Sequence, residues 1–329
     1  MLTSPRDSLV SDVATVTQAV AVVGDLRRSA VGRLEASGIE AADANADWLL
    51  AHVTGVGRGA LRDRTVLTAD QLTRFEAVLA RRCERVPLQH LTGIAGFRYL
   101  DLQVGPGVFV PRPETETLVD LAILGLAQVQ ATATAAGRSG LDLRPRIVDL
   151  CTGSAAVALS LATELDGVDV WALEYDADAL IWAQRNVDSH RGQVDRAQSK
   201  LRIISGDITE PITVSQLSAE AGDFDLVVAN PPYVPTGAVP CDPEVRDYDP
   251  AIALYGGTDG LDVVRAIVAA AAAMLRPGGF LAIEHGDRQG EDGPDASVPR
   301  LLRRDGRFGH IADHVDLSQR PRVTTAVRF

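Results

Sequence analysis

The spacing of hydrophobic residues differs between two regions of this chain. From Gly24 to about Arg85, apolar residues recur three or four positions apart, as in ADWLLAHV and QLTRFEAVLARR. This spacing is typical of helices that bury one face. From Arg146 onward, short apolar runs alternate with helical stretches instead. The pattern therefore predicts a small domain of several short helices, followed by a larger α/β domain.

The larger domain reads as a series of strand–helix units. Its predicted strands are RIVDL, DVWALE, LRIISGD, FDLVVAN and FLAIEHG, with two further β-rich segments, GHIADHV and VTTAVRF. Its predicted helices are SAAVALSLATEL, ADALIWAQRNVDSH and LDVVRAIVAAAAAML. Strands that alternate with helices predict a mostly parallel, doubly wound sheet.

The segment GFRYLDLQVGPGVFVPRPETE lies between these two regions. Its two β-rich runs flank the sequence GPG at 105–107, which predicts a β-hairpin that the following prolines end. A helix is predicted over 115–128 and a small-residue linker over 131–140. We therefore expect a flexible extension over residues 1–20, a helical domain over 21–88, a β-hairpin linker over 89–114 and an α/β domain over 115–329.

Composition and charge narrow the classes of function. The net charge is −12 over 329 residues, which argues against nucleic acid as the main partner, because phosphate-binding proteins usually carry a strong basic face. Three widely spaced cysteines form no CxxC pair and no disulfide framework, so a reducing cytoplasm is expected. The N-terminal segment is too polar for a signal peptide and too short for a membrane span.

A metal site is not expected either. His310 and His314 are spaced like two ligands on a helix, but their segment reads as a strand and no third ligand is evident.

Polar residues follow three successive predicted strands. Asp149 to Ser154 form the turn between the first strand and its helix, where backbone N–H groups can face a ligand. Glu174 ends the second strand and could accept hydrogen bonds from ribose hydroxyls, and Asp207 follows the third and could accept from an exocyclic amine. Ligands bind at this edge of open α/β sheets.

The same turn indicates which cofactor fits. It lacks GxGxxG, and no Walker lysine follows, so a pyrophosphate ligand is poorly supported. An acid-rich rim suits a cationic nucleoside, and S-adenosylmethionine is one. The alternative interpretation is that these acids only end strands and cap helices.

The predicted fourth strand ends on Asn230-Pro231-Pro232-Tyr233. Two prolines cannot continue a sheet ladder, because neither has an N–H to donate. A planar NH₂ group that accepts a methyl is a poor nucleophile with two donors. The Asn230 side-chain oxygen and the Pro231 carbonyl could accept from both donors, while Tyr233 stacks on the acceptor plane. No strong base is needed, because the proton can leave after the methyl arrives, and catalysis would rest on positioning.

Several motifs in order resemble the PrmC/HemK family of protein-(glutamine-N5) methyltransferases. They are NPPY with HLTG (90–93), VFVPRPETE (108–116), GDITEP (206–211), EVRDYDPAIALYGGTDGL (244–261) and IEHGDRQG (283–290). The resemblance implies a class I, Rossmann-like methyltransferase domain that a β-hairpin linker joins to a helical bundle docking the substrate. It also implies that the substrate is the glutamine of the GGQ motif in class I peptide chain release factors, whose methylation tunes translation termination. A monomer is expected, because the site must admit a large protein.

The resemblance also assigns site residues, motif by motif. It implies catalytic roles for Asn230, Pro231 and Tyr233, with Pro232 and Arg112 also binding substrate. The implied cofactor-binding residues are Asp149, Cys151, Thr152, Gly153, Glu174, Tyr175, Asp207, Ile208, Asn230, Phe109 and Pro111. The first loop departs from the family's DxGTGSG pattern, since Cys151 and Ala155 stand where two glycines are usual, and Glu174 stands where Asp is frequent. We expect activity to survive these changes.

Two other functions stay open from the sequence. NPPY is equally suited to a nucleic-acid base methyltransferase that acts on adenine or guanine amino groups. The departures at Cys151 and Ala155 also allow a cofactor-binding protein without catalysis.

Overall fold

The computed structural model describes residues 21–135, 144–291, 293 and 297–329. The predicted extension over 1–20 and the end of the predicted linker lie outside these residues. The chain divides into two compact units between Thr92 and Gly93. The predicted boundaries at 88 and 114 stay predictions.

The first unit is helical, as predicted. Its helices are α1 (Val23–Ala36), α2 (Ala42–Thr54), α3 (Ala69–Cys83) and α4 (Leu88–Thr92). Thr68 begins α3 with a reciprocal capping box, in which Gln71 N donates to Thr68 Oγ1 at 3.2 Å and Thr68 N donates to Gln71 Oε1 at 2.9 Å. Phe75 and Leu79 on α3 are buried in the unit's core.

The second unit combines a hairpin with an α/β domain. Its strands are β1 (Ile94–Phe97), β2 (Leu100–Gln103), β3 (Arg146–Leu150), β4 (Asp169–Glu174), β5 (Lys200–Ser205), β6 (Phe224–Ala229), β7 (Leu275–Glu284), β8 (Phe308–Val315) and β9 (Pro321–Arg328). Its helices are α5 (Glu116–Ala135), α6 (Ala156–Glu164), α7 (Ala177–Arg196), α8 (Pro211–Ala221), α9 (Pro243–Tyr248), α10 (Ala251–Leu254), α11 (Asp262–Met274) and α12 (Val298–Asp305).

Seven strands form one sheet in the order β5-β4-β3-β6-β7-β9-β8. The strands from β5 to β7 are parallel, and β9 and β8 join as an antiparallel pair at one edge. This arrangement confirms the predicted mostly parallel α/β fold. Apolar clusters cover both faces of the sheet, which explains why every residue of β6 is buried.

The strand order places a topological switch point between β3 and β6. From β3 the chain continues outward through β4 and β5, and it then returns to add β6 and β7 on the other side. The helices after β3 and β6 therefore leave a crevice at the carboxyl ends of these two strands, where ligands bind in this class of sheet.

The predicted hairpin exists, but its predicted turn was wrong. The strands pair Ile94 with Gln103, so the turn lies at Arg98 and Tyr99 rather than at 105–107. Arg98 takes a left-handed φ of 51°, its N–H donates to Glu116, and its guanidinium binds Glu164 at 2.6 Å. Contacts with Glu116 and Glu164 stabilise this turn, although Arg98 and Tyr99 are not residue types that favour turns.

Helix α5 also differs from its prediction. It continues to Ala135 through part of the predicted linker, because alanine favours helix, and within it Thr134 Oγ1 donates to the Gln130 carbonyl at 2.9 Å. The helical stretch Pro113–Ala135 is long and apolar enough to cross a membrane. Its residues Leu118 and Leu126 pack in the core of the sheet, and core helices of α/β domains pass the same length and composition test.

Candidate active site

A cavity of about 790 Å³ opens at the carboxyl edge of the sheet. Every residue that lines it belongs to the second unit. The cavity brings together all the residues predicted for the site, namely Phe109, Pro111, Arg112, Asp149, Cys151, Thr152, Gly153, Glu174, Tyr175, Asp207, Ile208, Asn230, Pro231, Pro232 and Tyr233. The structure places these residues around one cavity, and the role of each residue stays a prediction.

The loop after β3 alternates in backbone handedness. Cys151, Gly153 and Ala155 take φ values of 63°, 57° and 65°, all in the left-handed region. Glycine enters this region freely, whereas a residue with a Cβ is strained there by about 1–2 kcal/mol. The two departures from the family pattern therefore keep the glycine-like backbone at an energetic cost.

The Asp149 side chain stabilises this loop through hydrogen bonds. Its Oδ2 accepts from Thr152 Oγ1 at 2.6 Å and from the Ala158 N–H at 3.1 Å. Its Oδ1 is buried without a hydrogen-bond partner among the described residues. Burial raises the pKa of Asp149 to about 7, and the neighbouring Glu174 charge adds to the shift. An unpaired carboxylate oxygen in a cavity wall suits a positively charged ligand.

Backbone N–H groups occupy most of the hydrogen-bond acceptor sites of Glu174. Its Oε2 accepts from the Gly153 N–H at 2.7 Å, and its Oε1 accepts from the Tyr175 and Asp176 N–H groups at 2.9 Å. A carboxylate offers about four lone-pair sites, so roughly one remains for a ribose hydroxyl. The structure thus adds a loop-building role that the sequence did not indicate.

Asp207 and Ile208 lie on the wall of the cavity that follows β5. Asp207 Oδ1 accepts from the Thr209 N–H at 2.8 Å and from Thr209 Oγ1 at 2.7 Å, and its other oxygen has no hydrogen-bond partner in the described chain. Ile208 is buried and lines the cavity. A free carboxylate oxygen beside an apolar wall fits an aromatic ring with an exocyclic amine.

The tetrapeptide after β6 lines the cavity and carries two acceptors that pair with no described residue. Asn230 Nδ2 donates to Thr115 Oγ1 at 3.2 Å, which leaves Oδ1 as the end that faces away from this bond. Within the described residues, neither Asn230 Oδ1 nor the Pro231 carbonyl has a hydrogen-bond partner. Two unpaired acceptors on neighbouring residues match the two donors of a primary amide.

The backbone of this tetrapeptide is held by the segment after α10. The Val234 N–H donates to the Leu254 carbonyl at 2.8 Å, and the Gly256 N–H donates to the Val234 carbonyl at 3.0 Å. A Cβ on Gly256 would lie 2.3 Å from the Pro232 carbonyl oxygen, so only glycine permits this approach. The side chain of Gln289 completes the support by donating to the Tyr233 carbonyl at 3.0 Å.

Behind the acceptors lies a buried polar cluster that residue-by-residue sequence reasoning missed. Glu284 ends β7 and is only 2% exposed, and the Tyr233 hydroxyl donates to its Oε1 at 3.5 Å. Burial raises the pKa of Glu284 to about 7, opposed by the Thr115 hydroxyl and the Arg322 charge. Burial also raises the pKa of Tyr233, so its phenol stays neutral. The strand-end rule that identified Glu174 would also have identified Glu284.

Arg112 is tied to the other wall of the cavity. Its Nη2 lies 2.6 Å from Asp249 Oδ2, and its guanidinium lies 5.1 Å from the centre of the Phe109 ring. The Asp249 side chain is fully buried. The predicted substrate residue Arg112 therefore connects the segment before α5 to the helices α9 and α10.

Comparisons with known proteins show which family the chain is similar to. The PrmC N-terminal domain family matches residues 25–93. A release factor glutamine methyltransferase from Streptomyces coelicolor is 43% identical over 90% of this chain and 95% of its own length. Those from Bifidobacterium longum and Mycolicibacterium smegmatis are 40% and 41% identical, over 82% and 92% of this chain and 89% and 96% of their own lengths.

The chain belongs to the release factor glutamine methyltransferase family. The three relatives match 82–92% of this chain at 40–43% identity. Membership in this family confirms the resemblance expected from the sequence motifs, and the protein is a methyltransferase.

Proposed function

We propose that this methyltransferase transfers a methyl group from S-adenosylmethionine to the side-chain amide nitrogen, N5, of the glutamine in the GGQ motif of class I release factors. The observation that carries the proposal is the pair of unpaired acceptors, Asn230 Oδ1 and the Pro231 carbonyl, on one cavity wall. The names of the relatives supply the substrate class.

The cofactor would lie along the loop after β3. Asp149 Oδ1, the remaining site on Glu174 and the free oxygen of Asp207 offer acceptors for a cationic nucleoside, and the carboxylates complement its positive charge. When bound, S-adenosylmethionine supplies an electrophilic methyl on a sulfonium. The product left behind is S-adenosylhomocysteine.

Asn230 Oδ1 and the Pro231 carbonyl, together called the acceptor clamp, would act by orienting the substrate amide. Asn230 Oδ1 and the Pro231 carbonyl accept one N–H each from the substrate amide, which fixes the amide plane and raises electron density on its nitrogen. Tyr233, neutral and buried, would pack against that plane. The nitrogen releases one proton to water after the methyl has arrived, so no strong base is required. The rate would come from holding nitrogen in line with the methyl.

The partner and the compartment belong to the same proposal. The enzyme would act as a monomer on a protein substrate in the cytoplasm, and its net charge of −12 argues against nucleic acid as the main partner. The widely spaced cysteines Cys83, Cys151 and Cys241, none of them in a disulfide, support the reducing compartment.

The test is mass spectrometry of a full-length release factor incubated with enzyme and S-adenosylmethionine. We expect one added methyl on the GGQ glutamine with wild type and at least a hundredfold slower addition with Asn230→Ala, because one of the two acceptors is lost. Thermal unfolding of both proteins shows that the variant is folded.

A wild-type enzyme that binds cofactor but leaves the glutamine unmodified would refute the proposal. In that case, methyl transfer to DNA or RNA oligonucleotides would support the base methyltransferase, and no transfer to any acceptor would support a cofactor-binding protein.

A further inference from the structure

The tetrapeptide that carries the acceptor clamp ends at Tyr233, whose carbonyl lies against the segment 255–260. A Cβ on Gly260 would overlap the Tyr233 carbonyl oxygen, so the two segments are in close contact. The carbonyls of Tyr233 and Asp259 belong to these two segments, and carbonyls only accept hydrogen bonds. They cannot pair with each other, so a donor from elsewhere must join them.

The side chain of Gln289 supplies this donor. Its Nε2 donates to the Tyr233 carbonyl at 3.0 Å and to the Asp259 carbonyl at 3.2 Å. Its Oε1 accepts from the Gly286 N–H at 2.9 Å. One amide group therefore joins three segments, namely the end of the tetrapeptide, the segment before α11 and the loop after β7.

These three partners fix the orientation of the Gln289 amide. The two ends of a glutamine amide have nearly the same shape, but one end accepts and the other carries two donors. Turned by 180°, the amide would place its oxygen against two carbonyl oxygens and its NH₂ against the Gly286 N–H. All three hydrogen bonds would be lost together, so the observed orientation is the one that satisfies every partner.

Gln289 also has little freedom to move. It is only 7% exposed, its N–H donates to the Gly286 carbonyl at 2.9 Å, and its carbonyl accepts from the Val298 N–H at 2.9 Å. A Cβ on Gly260 would lie 2.8 Å from Gln289 Nε2, and a Cβ on Gly286 would lie 3.2 Å from Gln289 Oε1. The amide is thus closely packed on both sides, and its backbone is anchored at the start of α12.

We propose that Gln289 is a positioning residue, whose amide fixes the acceptor clamp against the segment 255–260 and the loop after β7. The Tyr233 carbonyl follows the Pro231 carbonyl by two residues, and the fixed φ of Pro232 between them passes a shift of one to the other. Gln289 itself lies outside the lining of the cavity, so it acts through the clamp. The proposal rests on the proposed function, since it explains how the same clamp is held.

The test compares Gln289→Glu, Gln289→Met and the control Gln216→Glu. Glutamate keeps the shape of glutamine and an acceptor for the Gly286 N–H, but it replaces both N–H donors with an oxygen that faces two carbonyls. Methionine removes the donors without adding a charge. Gln216 is exposed on α8 and outside the lining of the cavity, so its change to glutamate adds the same charge away from the site. Steady-state methylation of a release factor is measured below the unfolding temperature of each variant.

We expect Gln289→Glu to lower kcat about tenfold or more, the scale of buried carbonyls left without a donor, and Gln289→Met to lower it about threefold to tenfold. Cofactor affinity and binding stoichiometry should stay within about twofold of wild type, which shows that the loss does not come from unfolded protein. Gln216→Glu should match wild type. If Gln289→Glu does not fold, Gln289→Met alone decides.

A wild-type kcat in a folded Gln289 variant, or a loss that appears only in cofactor binding, would overturn the proposal. If wild type itself does not methylate the release factor, the proposed function fails first.

A second comparison tests whether Gln289 acts through the clamp. Gln289→Met is combined with Asn230→Ala, in which one acceptor of the clamp is already missing. We expect Gln289→Met to slow methylation by a smaller factor in this background than in wild type, because both changes act on the same clamp. Single-turnover mass spectrometry measures these slow rates. Equal factors in the two backgrounds would show that Gln289 acts independently of the clamp and would overturn the proposal.

Discussion

At the scale of single residues, burial raises the pKa of two carboxyl groups that line the cavity, Asp149 and Glu284, to about 7. Asp149 is 1% exposed, its pKa is about 7, and one of its oxygens lacks a partner among the described residues. Below its pKa it is a neutral carboxylic acid, and above it the group becomes an anion in the wall of a site for a cationic nucleoside. Proton loss and cofactor binding should therefore favour each other.

We predict that affinity for S-adenosylmethionine rises about fivefold to tenfold between roughly pH 6 and pH 7.5, because a raised pKa leaves Asp149 mostly protonated at the lower pH. Isothermal titration calorimetry at both pH values measures this change. Asp149→Asn should bind more weakly and with a much flatter pH dependence. An unchanged pH dependence in this variant would show that another group carries the effect.

At the scale of elements, the site depends on glycines that let two chain segments meet. Gly256 follows α10 and lies against the Pro232 carbonyl, while Gly260 takes a φ of 78° against the Tyr233 carbonyl. This packing, rather than the two prolines alone, keeps the backbone after β6 in place. The segment 255–260 is thus a structural support for the acceptor clamp.

We predict that Gly256→Ala lowers kcat for methylation by about tenfold to a hundredfold, because its Cβ must displace the Pro232 carbonyl and the clamp is sensitive to shifts of about 1 Å. The matched control is Gly237→Ala, whose Cβ meets nothing within 4 Å. Steady-state kinetics and cofactor titration measure both variants. The prediction fails if the two variants retain equal activity.

At the scale of the whole molecule, the residues proposed for the chemistry all lie in one unit. The cavity is lined only by residues of the second unit, whereas the PrmC N-terminal domain family matches residues 25–93 of the chain. If the helical unit docks the release factor, it should affect recognition of the protein without affecting cofactor binding. A short peptide with the GGQ motif should not depend on it.

We predict that deletion of residues 1–92 raises KM for a full-length release factor at least about tenfold, because docking contacts outside the GGQ loop are lost. Cofactor affinity and kcat/KM for a GGQ peptide should stay within about twofold of wild type. Cofactor binding also serves as the check that the truncated protein folds. An unchanged KM for the full-length substrate would contradict a docking role.

Much of this organisation was predictable where local pattern and tertiary environment agree. The apolar runs RIVDL and DVWALE coincide with β3 and β4, because buried parallel strands require continuous apolar residues. The hairpin turn at Arg98 was misplaced, because its left-handed backbone is held by Glu164 and Glu116 rather than by turn residues. Helices α8 and α12 were also not predicted, since each is short and begins near a proline in an otherwise loop-like stretch.

By itself, the sequence determined the succession of strands along the chain and which polar residues meet at the edge of the sheet. Parallel strands end at one edge, so Asp149, Glu174, Asp207 and Asn230 had to lie together once the strands were recognised. Only the tertiary structure decided which oxygens are free and which way each hydrogen bond points. That outcome depends on partners such as Thr115, which is distant in the chain and meets Asn230 only when the sheet and the segment before α5 pack.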